Sequence, residues 1–189
     1  KEIENNYKHF KSKHLLKDFV HGNSKDLTSN QINYLLASLI VNLLLGSNTK
    51  KVQLDFNQEF VEGRFEIINR NPLKILDGAH NIDGFIKTLE DYEKVYNFED
   101  THLYLGFKNG KNIENIITYL KPKKQYNLNF IEENTFFNQQ NPDKFIDYLK
   151  SENIDYKIVE LKTFSANKNP SILLGSLYLI GEYKKRITT

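Results

Sequence analysis

The sequence contains no cysteine, and this absence excludes three kinds of chemistry together. A disulfide framework, a thiolate metal site and a cysteine nucleophile all need a residue that the chain lacks. The 26 Lys and Arg residues nearly balance the 24 Asp and Glu residues, so the formal charge of +2 gives little attraction for nucleic acid or anionic lipid. We therefore expect a cytoplasmic protein that binds no nucleic acid.

A long apolar run is also missing. The longest apolar stretch, residues 35–45, is interrupted by Ser38 and Asn42 and is shorter than the ~20 residues that a membrane span needs. It predicts a buried helix, and no membrane association is expected. The chain begins Lys-Glu-Ile-Glu, with neither a Met nor the apolar core of a signal peptide, so we expect it to be part of a longer protein.

A strong helical pattern begins at Asn30. Apolar residues recur at three- and four-residue steps and form one wide face, which comprises Ile32, Leu35, Leu36, Leu39, Ile40, Leu43 and Leu44. Thr28 or Ser29 can cap this helix and Gly46 can end it. The polar connection that follows, residues 47–58, is the best candidate for a domain boundary.

Short apolar runs alternate with amphipathic stretches through the rest of the chain. We predict strands at 65–68, 73–76, 103–105, 126–131, 156–161 and 172–174, and helices at 83–96, 113–120, 142–150 and 176–186. This alternation predicts an α/β fold whose mostly parallel sheet is covered by helices on both faces. Ligands of such sheets collect at the carboxyl ends of the strands.

Two strand-to-helix connections therefore hold the main site candidates. Strand 73–76 leads directly into Asp77-Gly78-Ala79-His80-Asn81, and strand 172–174 leads into Gly175-Ser176. The carboxylate of Asp77 could accept hydrogen bonds from the hydroxyls of a sugar, or it could cap the next helix, and spacing alone leaves both open. His80 lies near a helix amino terminus, which favours an anion, although a lone loop histidine is more often only solvated.

Arg64 and Ser176 complete the set of candidates. A guanidinium such as that of Arg64 can bind two phosphate oxygens at once, although a surface arginine is the commoner case. Ser176 is not in a nucleophile-elbow sequence and is a better hydrogen-bond donor than nucleophile. No His pair has metal-ligand spacing, so no protein-built metal site is predicted, and no phosphate-binding G-x-x-x-x-G-K-[ST] pattern occurs.

Three motifs together resemble the folylpolyglutamate synthase and dihydrofolate synthase family of Mur-type ligases. They are Gly63-Arg64-Phe65-Glu66, Leu76-Asp77-Gly78-Ala79-His80-Asn81 and the eight residues from Gly175 to Glu182, and their order and separation also fit. The resemblance covers roughly residues 30–189. It implies a Rossmann-like carboxy-terminal ligase domain at 63–189, a linker at 47–62 and the helical tail of the central ATPase domain at 1–46.

The resemblance also implies roles for individual residues. Arg64 would contact ATP phosphates, Asp77 would hold the ribose and Asn33 would face the nucleotide. His80 would lie beside the reacting phosphate and the incoming L-glutamate, which Ser176 would help to bind. The cofactors would be ATP and Mg²⁺, with most Mg²⁺ ligands in an amino-terminal ATPase domain that this sequence lacks.

The implied reaction activates the carboxylate of a folate or dihydropteroate as an acyl phosphate, which the amine of glutamate then attacks. Without a P-loop, this chain alone should not catalyse it. Two alternatives remain. One is a non-catalytic Rossmann-like module that binds a nucleotide or a partner, which fold alone cannot separate from a ligase. The other is a cell-wall Mur ligase, although the Gly-Ser-Leu-Tyr-Leu segment is more typical of the folate branch.

Overall fold

The structure is a computed structural model that describes residues 28–44, 61–96, 99–107, 113–132 and 142–188. The chain divides into two compact units between residues 58 and 59. The predicted strand or half-turn near residues 15–20, the helix stop at Gly46, the short helix near Phe60 and the basic stretch 108–111 lie outside the described residues.

The first unit contributes one described helix, α1 (Ser29–Leu44). Its amino end is closed by a reciprocal pair of hydrogen bonds between Thr28 and Gln31. The amide of Thr28 donates to Gln31 Oε1 at 2.8 Å, and the amide of Gln31 donates to Thr28 Oγ1 at 3.4 Å. This is a capping box, and it shows that Thr28, one of the two predicted caps, closes the helix. Leu35, on the predicted apolar face, is buried.

The second unit is built on a six-stranded sheet with the spatial order β1-β2-β6-β3-β4-β5. The strands are β1 (Glu66–Arg70), β2 (Leu73–Asp77), β3 (Thr101–Leu105), β4 (Tyr126–Ile131), β5 (Tyr156–Val159) and β6 (Ser171–Leu174). All neighbouring pairs are parallel except β1 with β2. The prediction of a mostly parallel α/β sheet is therefore confirmed.

Five described helices accompany the sheet: α2 (Ile82–Val95), α3 (Ile113–Leu120), α4 (Pro142–Ser151), α5 (Lys162–Ala166) and α6 (Leu177–Thr188). Side chains along each strand point alternately to opposite faces, which creates two cores. The larger core contains Leu73, Ile75, Leu103 and Leu105 and residues of α2, α3 and α4. The smaller core contains Leu76, Tyr104 and Leu173 and residues of α5 and α6.

A strand was predicted at 65–68 and corresponds to β1, but its antiparallel pairing with β2 was not predicted. A signal for it was present, because only Asn71 and Pro72 separate β1 from β2, whereas a parallel pair needs a crossover of about a dozen residues. The strand β3 also begins two residues before its predicted start. Polar Thr101 masks this start in the sequence, but its side chain is fully buried and lies 2.6 Å from the hydroxyl of Tyr92.

Among the described residues, no helix is long and apolar enough to cross a membrane.

Candidate functional site

The three central parallel strands all end at a glycine. Asp77 of β2 is followed by Gly78, Leu105 of β3 by Gly106, and Leu174 of β6 by Gly175. Gly175 has φ +117°, and a Cβ added there would lie 2.5 Å from the carbonyl oxygen of Gly106. Only glycine fits this position, because the backbone conformation and the close approach of the next strand end both exclude a side chain.

The parallel pairing places the two predicted connections side by side. Asp77 at the end of β2 is the register partner of Leu174 at the end of β6. The segments that begin with Gly78 and with Gly175 therefore leave the sheet at the same edge, at neighbouring strands. This is the edge at which open parallel sheets bind ligands.

Asp77 is buried at this edge, and both of its carboxylate oxygens accept hydrogen bonds from backbone amides. Phe65 N donates to Oδ2 at 2.8 Å, and Ala79 N donates to Oδ1 at 2.7 Å. Burial raises the pKa of the Asp77 carboxyl, while these two bonds and the nearby charge of Arg64 oppose that rise. Asp77 does not cap the following helix, since Asn81 does so by accepting a bond from Gly84 N at 2.8 Å.

Arg64 lies in the turn before β1, and its side chain is exposed. The turn is fixed by three hydrogen bonds. Arg64 N donates to Val61 O at 2.9 Å, Gly78 N donates to Gly63 O at 2.8 Å, and Phe65 N donates to the side chain of Asp77. Phe65 has φ +48°, a conformation that an aromatic residue rarely adopts, and its side chain is buried in the larger core. The buried ring and the carboxylate of Asp77 together hold this turn beside β2.

His80 is exposed just before α2, and its Nδ1 lies 3.1 Å from the carbonyl oxygen of Gly78. Since a carbonyl oxygen only accepts, this bond needs the proton on Nδ1 and leaves Nε2 for another partner. Gly78 thus links the two exposed groups, because its amide binds the Arg64 turn and its carbonyl orients His80.

Ser176 is buried at the amino end of α6. Its Oγ accepts a hydrogen bond from Tyr178 N at 3.2 Å, and its carbonyl accepts from Ile180 N at 3.2 Å, so Ser176 is the N-cap of this helix. The hydroxyl proton is still available for donation. A structural role was not predicted for Ser176, although Ser before an apolar helical run is a recognisable cap signal.

Asn33 is exposed on α1, in the first compact unit, and its contact with a nucleotide remains a prediction. Within the described ranges, no group of three or more His, Asp or Glu side chains is placed to hold a metal ion. The structure thus brings Arg64, Asp77, His80 and Ser176 together at one sheet edge. Hydrogen bonds near Gly78 hold the segments of the first three, and the pairing of β2 with β6 places Ser176 beside them.

Sequence reasoning missed Lys74, a buried lysine within β2. Its ammonium group donates to the carbonyl oxygen of Phe164 at 2.8 Å and to that of Ser165, at the end of α5, and lies 5.3 Å from the centre of the Phe164 ring. Burial lowers the pKa of Lys74. A lysine inside an otherwise apolar strand was the available signal, since such a residue is rarely buried without a partner.

A shallow groove of about 380 Å³ lies elsewhere, at the amino ends of β4 and β5, and includes none of these residues. Four lysines line it, but Lys121 pairs with Glu152 at 2.8 Å and Lys123 with Glu93 at 2.7 Å. We place the candidate site at the carboxyl edge instead, because the exposed side chains of Arg64 and His80 and the glycine turns lie together there.

Comparison with solved structures shows what this fold is. Folylpolyglutamate synthase from Thermotoga maritima superposes with a TM-score of 0.59 at 21% identity, over 82% of this chain and 38% of that one. The Mycobacterium tuberculosis folylpolyglutamate synthase, solved with ADP and AMPPCP, gives 0.61 at 16% identity, over 82% and 39%. The UDP-N-acetylmuramate-alanine ligase MurC of Thermotoga maritima gives 0.58 at 19% identity, over 85% and 39%.

The sheet domain therefore has the α/β, Rossmann-like fold of the carboxy-terminal domain of Mur-type ligases. Folylpolyglutamate synthases are among the ligases that it resembles, and the chain spans about two fifths of their length. Neither a protein-family model nor a curated protein sequence matches the chain.

Proposed function

We propose that this chain is the carboxy-terminal part of an ATP-dependent ligase that adds L-glutamate to a folate or a dihydropteroate. The γ-phosphoryl group of ATP would pass to the carboxylate of the acceptor, which gives an acyl phosphate and ADP. The glutamate amine would then attack the acyl carbon, form the amide and release phosphate. Mg²⁺ would neutralise phosphate charge, as such transfers require.

The observation that carries this proposal is the meeting of Arg64, Asp77, His80 and Ser176 at one edge of a Mur-ligase-type sheet. Arg64 and His80 present exposed cationic or hydrogen-bonding groups, which suit an anionic phosphate. We assign the catalytic role to these two residues. The backbone that carries them is fixed by bonds to Gly78, so only their side chains would need ordering when a phosphate binds.

Asp77 and Ser176 have structural roles that are compatible with binding roles. Each oxygen of Asp77 accepts one backbone bond, and the side chain of Thr88 also interacts with this carboxylate. A remaining lone pair would accept a ribose hydroxyl. Ser176 Oγ accepts the amide of Tyr178 and would donate its proton to a carboxylate of glutamate. Asn33 would contact the nucleotide as part of the ATPase domain. The domains that we propose are the ATPase tail at 1–46, the linker at 47–62 and the ligase domain at 63–189.

The chain alone should not complete the reaction, because it has no P-loop to cradle the triphosphate. We expect it to bind ATP weakly and to act, in the cytoplasm, joined to an amino-terminal ATPase domain. In that longer protein, Asp77→Ala should weaken nucleotide binding and should also loosen the two turns that carry Arg64 and His80. Arg64→Ala and His80→Ala should lower kcat because they remove stabilisation of developing phosphate charge.

Substrate identity is tested by assaying that longer protein with ATP and glutamate and one acceptor at a time, with mass spectrometry of the product. We expect a mass gain of one glutamyl residue on folate or dihydropteroate. Product only when alanine and a UDP-N-acetylmuramate acceptor replace glutamate and the folate would instead support a cell-wall ligase, whose fold is similar. ATP binding without turnover of any acceptor would support the non-catalytic alternative.

A further inference from the structure

One leucine touches both turns of the candidate site. Leu177 is the first residue of α6, directly after the capping Ser176, and 46% of its surface is exposed. A Cβ added to Gly78 would lie 2.5 Å from Leu177 Cγ and closer still to Cδ2, and one added to Gly63 would lie 2.9 Å from Cδ2. The leucine branch therefore occupies the space above both glycines.

This packing explains why residue 78 is glycine. The φ angle of Gly78 lies outside the left-handed region, so its backbone conformation does not itself demand glycine. The position of Leu177 favours glycine there, because a Cβ at residue 78 would force the leucine side chain to move. Gly63 differs, since its φ of +66° already favours glycine. Leu177 and Gly78 thus form a complementary pair at the centre of the site.

The two glycines connect to the functional candidates through short bonds. The amide of Gly78 donates to Gly63 O, which precedes Arg64, and the carbonyl of Gly78 orients His80. Leu177 lies on this junction and is itself held by the Ser176 cap. Any change in the seating of Leu177 therefore alters the spacing among Arg64, His80 and the amino end of α6.

We propose that Leu177 is a positioning residue, which sets the separation between the Arg64 turn, the His80 turn and the amino end of the last helix. The catalytic meaning of this spacing rests on the proposed function, but the spacing itself does not. Anchorage of α6 comes mainly from Leu179, Ile180 and Tyr183, which are buried in the smaller core. Leu177 buries less surface than these residues do, and its role is to set the spacing of the turns.

A double-mutant cycle on the 189-residue chain tests the pair through urea unfolding. With Leu177 present, Gly78→Ala should reduce the ratio of folded to unfolded chain at least about tenfold, and in the Leu177→Ala background less than about threefold. If Gly78→Ala does not fold, folding of the double variant is the supporting result. An equal cost in both backgrounds, or failure of the double variant to fold, would overturn the proposal.

A second measurement separates positioning from packing. Leu177→Ala should shift the amide NMR signals of Arg64 and His80, and Leu177→Met should largely restore them. The matched control is Leu179→Ala, which removes a fully buried side chain seated over Gly106 and should destabilise more while leaving those signals in place. Unchanged signals in Leu177→Ala, or equal shifts in the control, would contradict the proposal. Neither measurement uses ATP or a folate, so a failed ligase assay leaves this result standing.

Discussion

The amide of Phe65 donates a 2.8 Å hydrogen bond to Asp77, which ties the turn that carries Arg64 to the end of strand β2. The same carboxylate accepts from Ala79, so one buried side chain fixes the start of β1 and the segment that leads to His80. Asp77 is thus an organiser of the site through these two bonds alone.

Asp77→Ala should destabilise the chain by about 3 kcal/mol, because two backbone amides lose a charged acceptor in a buried place. Asp77→Asn keeps one acceptor oxygen and should lose less. Urea unfolding measures both, with exposed Asp147→Ala as the control, for which about 0.5 kcal/mol or less is expected. Equal stability of Asp77→Ala and the control would show that Asp77 does not organise the site.

Gly175→Ala should be among the most damaging single substitutions, with a loss of about 3 kcal/mol or more, since a Cβ would meet Gly106 O at φ +117°. Gly181→Ala, in α6, is its matched control because nothing lies within 4 Å of the added Cβ. That control should stabilise the helix by up to about 1 kcal/mol. The unfolding temperatures of the two variants should therefore shift in opposite directions. An unchanged unfolding temperature in Gly175→Ala would contradict the steric argument.

Ser176→Ala should remove the cap of α6 and cost about 1 kcal/mol. Ser176→Asp restores an acceptor for Tyr178 N and should recover most of that stability. In the longer ligase, however, the aspartate should raise KM for glutamate because it repels the substrate carboxylate. Recovery of stability together with an unchanged KM would remove Ser176 from the substrate site and leave it only as a cap.

Lys74 gives a pH dependence whose sign follows from its lowered pKa. Between that lowered value and the ordinary 10.5, the unfolded chain binds more protons than the folded chain at this group, so stability increases as pH rises. The stability of the unsubstituted chain relative to Lys74→Met should therefore increase as pH approaches 10.5 from neutrality. Urea unfolding at several pH values checks this, and a relative decrease would mean that the Lys74 pKa is raised instead.

The sequence predicted the sheet well because its strands are short apolar runs between clearly amphipathic helices. Helix Ile113–Leu120 and strand Tyr126–Ile131 begin and end where they were predicted. No helix was predicted between the last two strands, where the structure has the five-residue helix α5. Strand order, with β6 between β2 and β3, is set by long-range packing that no local pattern reveals.

The grouping of the predicted residues at one sheet edge could be expected from the sequence, but the hydrogen bonds among them could not. Asp77 and Gly175 were expected at strand ends, and β2 and β6 do end at Asp77 and Leu174. The hydrogen bond from Phe65 to Asp77 joins residues that are twelve apart in the sequence. Leu177 packs beside Gly63 and Gly78, which lie much earlier in the chain. Such contacts depend on the finished fold, so sequence spacing could not reveal them.

The most direct test of the ligase proposal is ADP release by this chain joined to a P-loop domain encoded with it, in the presence of folate and glutamate. The unsubstituted protein should release ADP over multiple turnovers only when both substrates are present, because glutamate is needed to consume the acyl phosphate. The Arg64→Ala, His80→Ala double variant should be slower by about a hundredfold or more, whereas Arg70→Ala, exposed at the far end of β1, should keep full rate. Full activity in the double variant, or turnover by the 189 residues alone, would contradict the account.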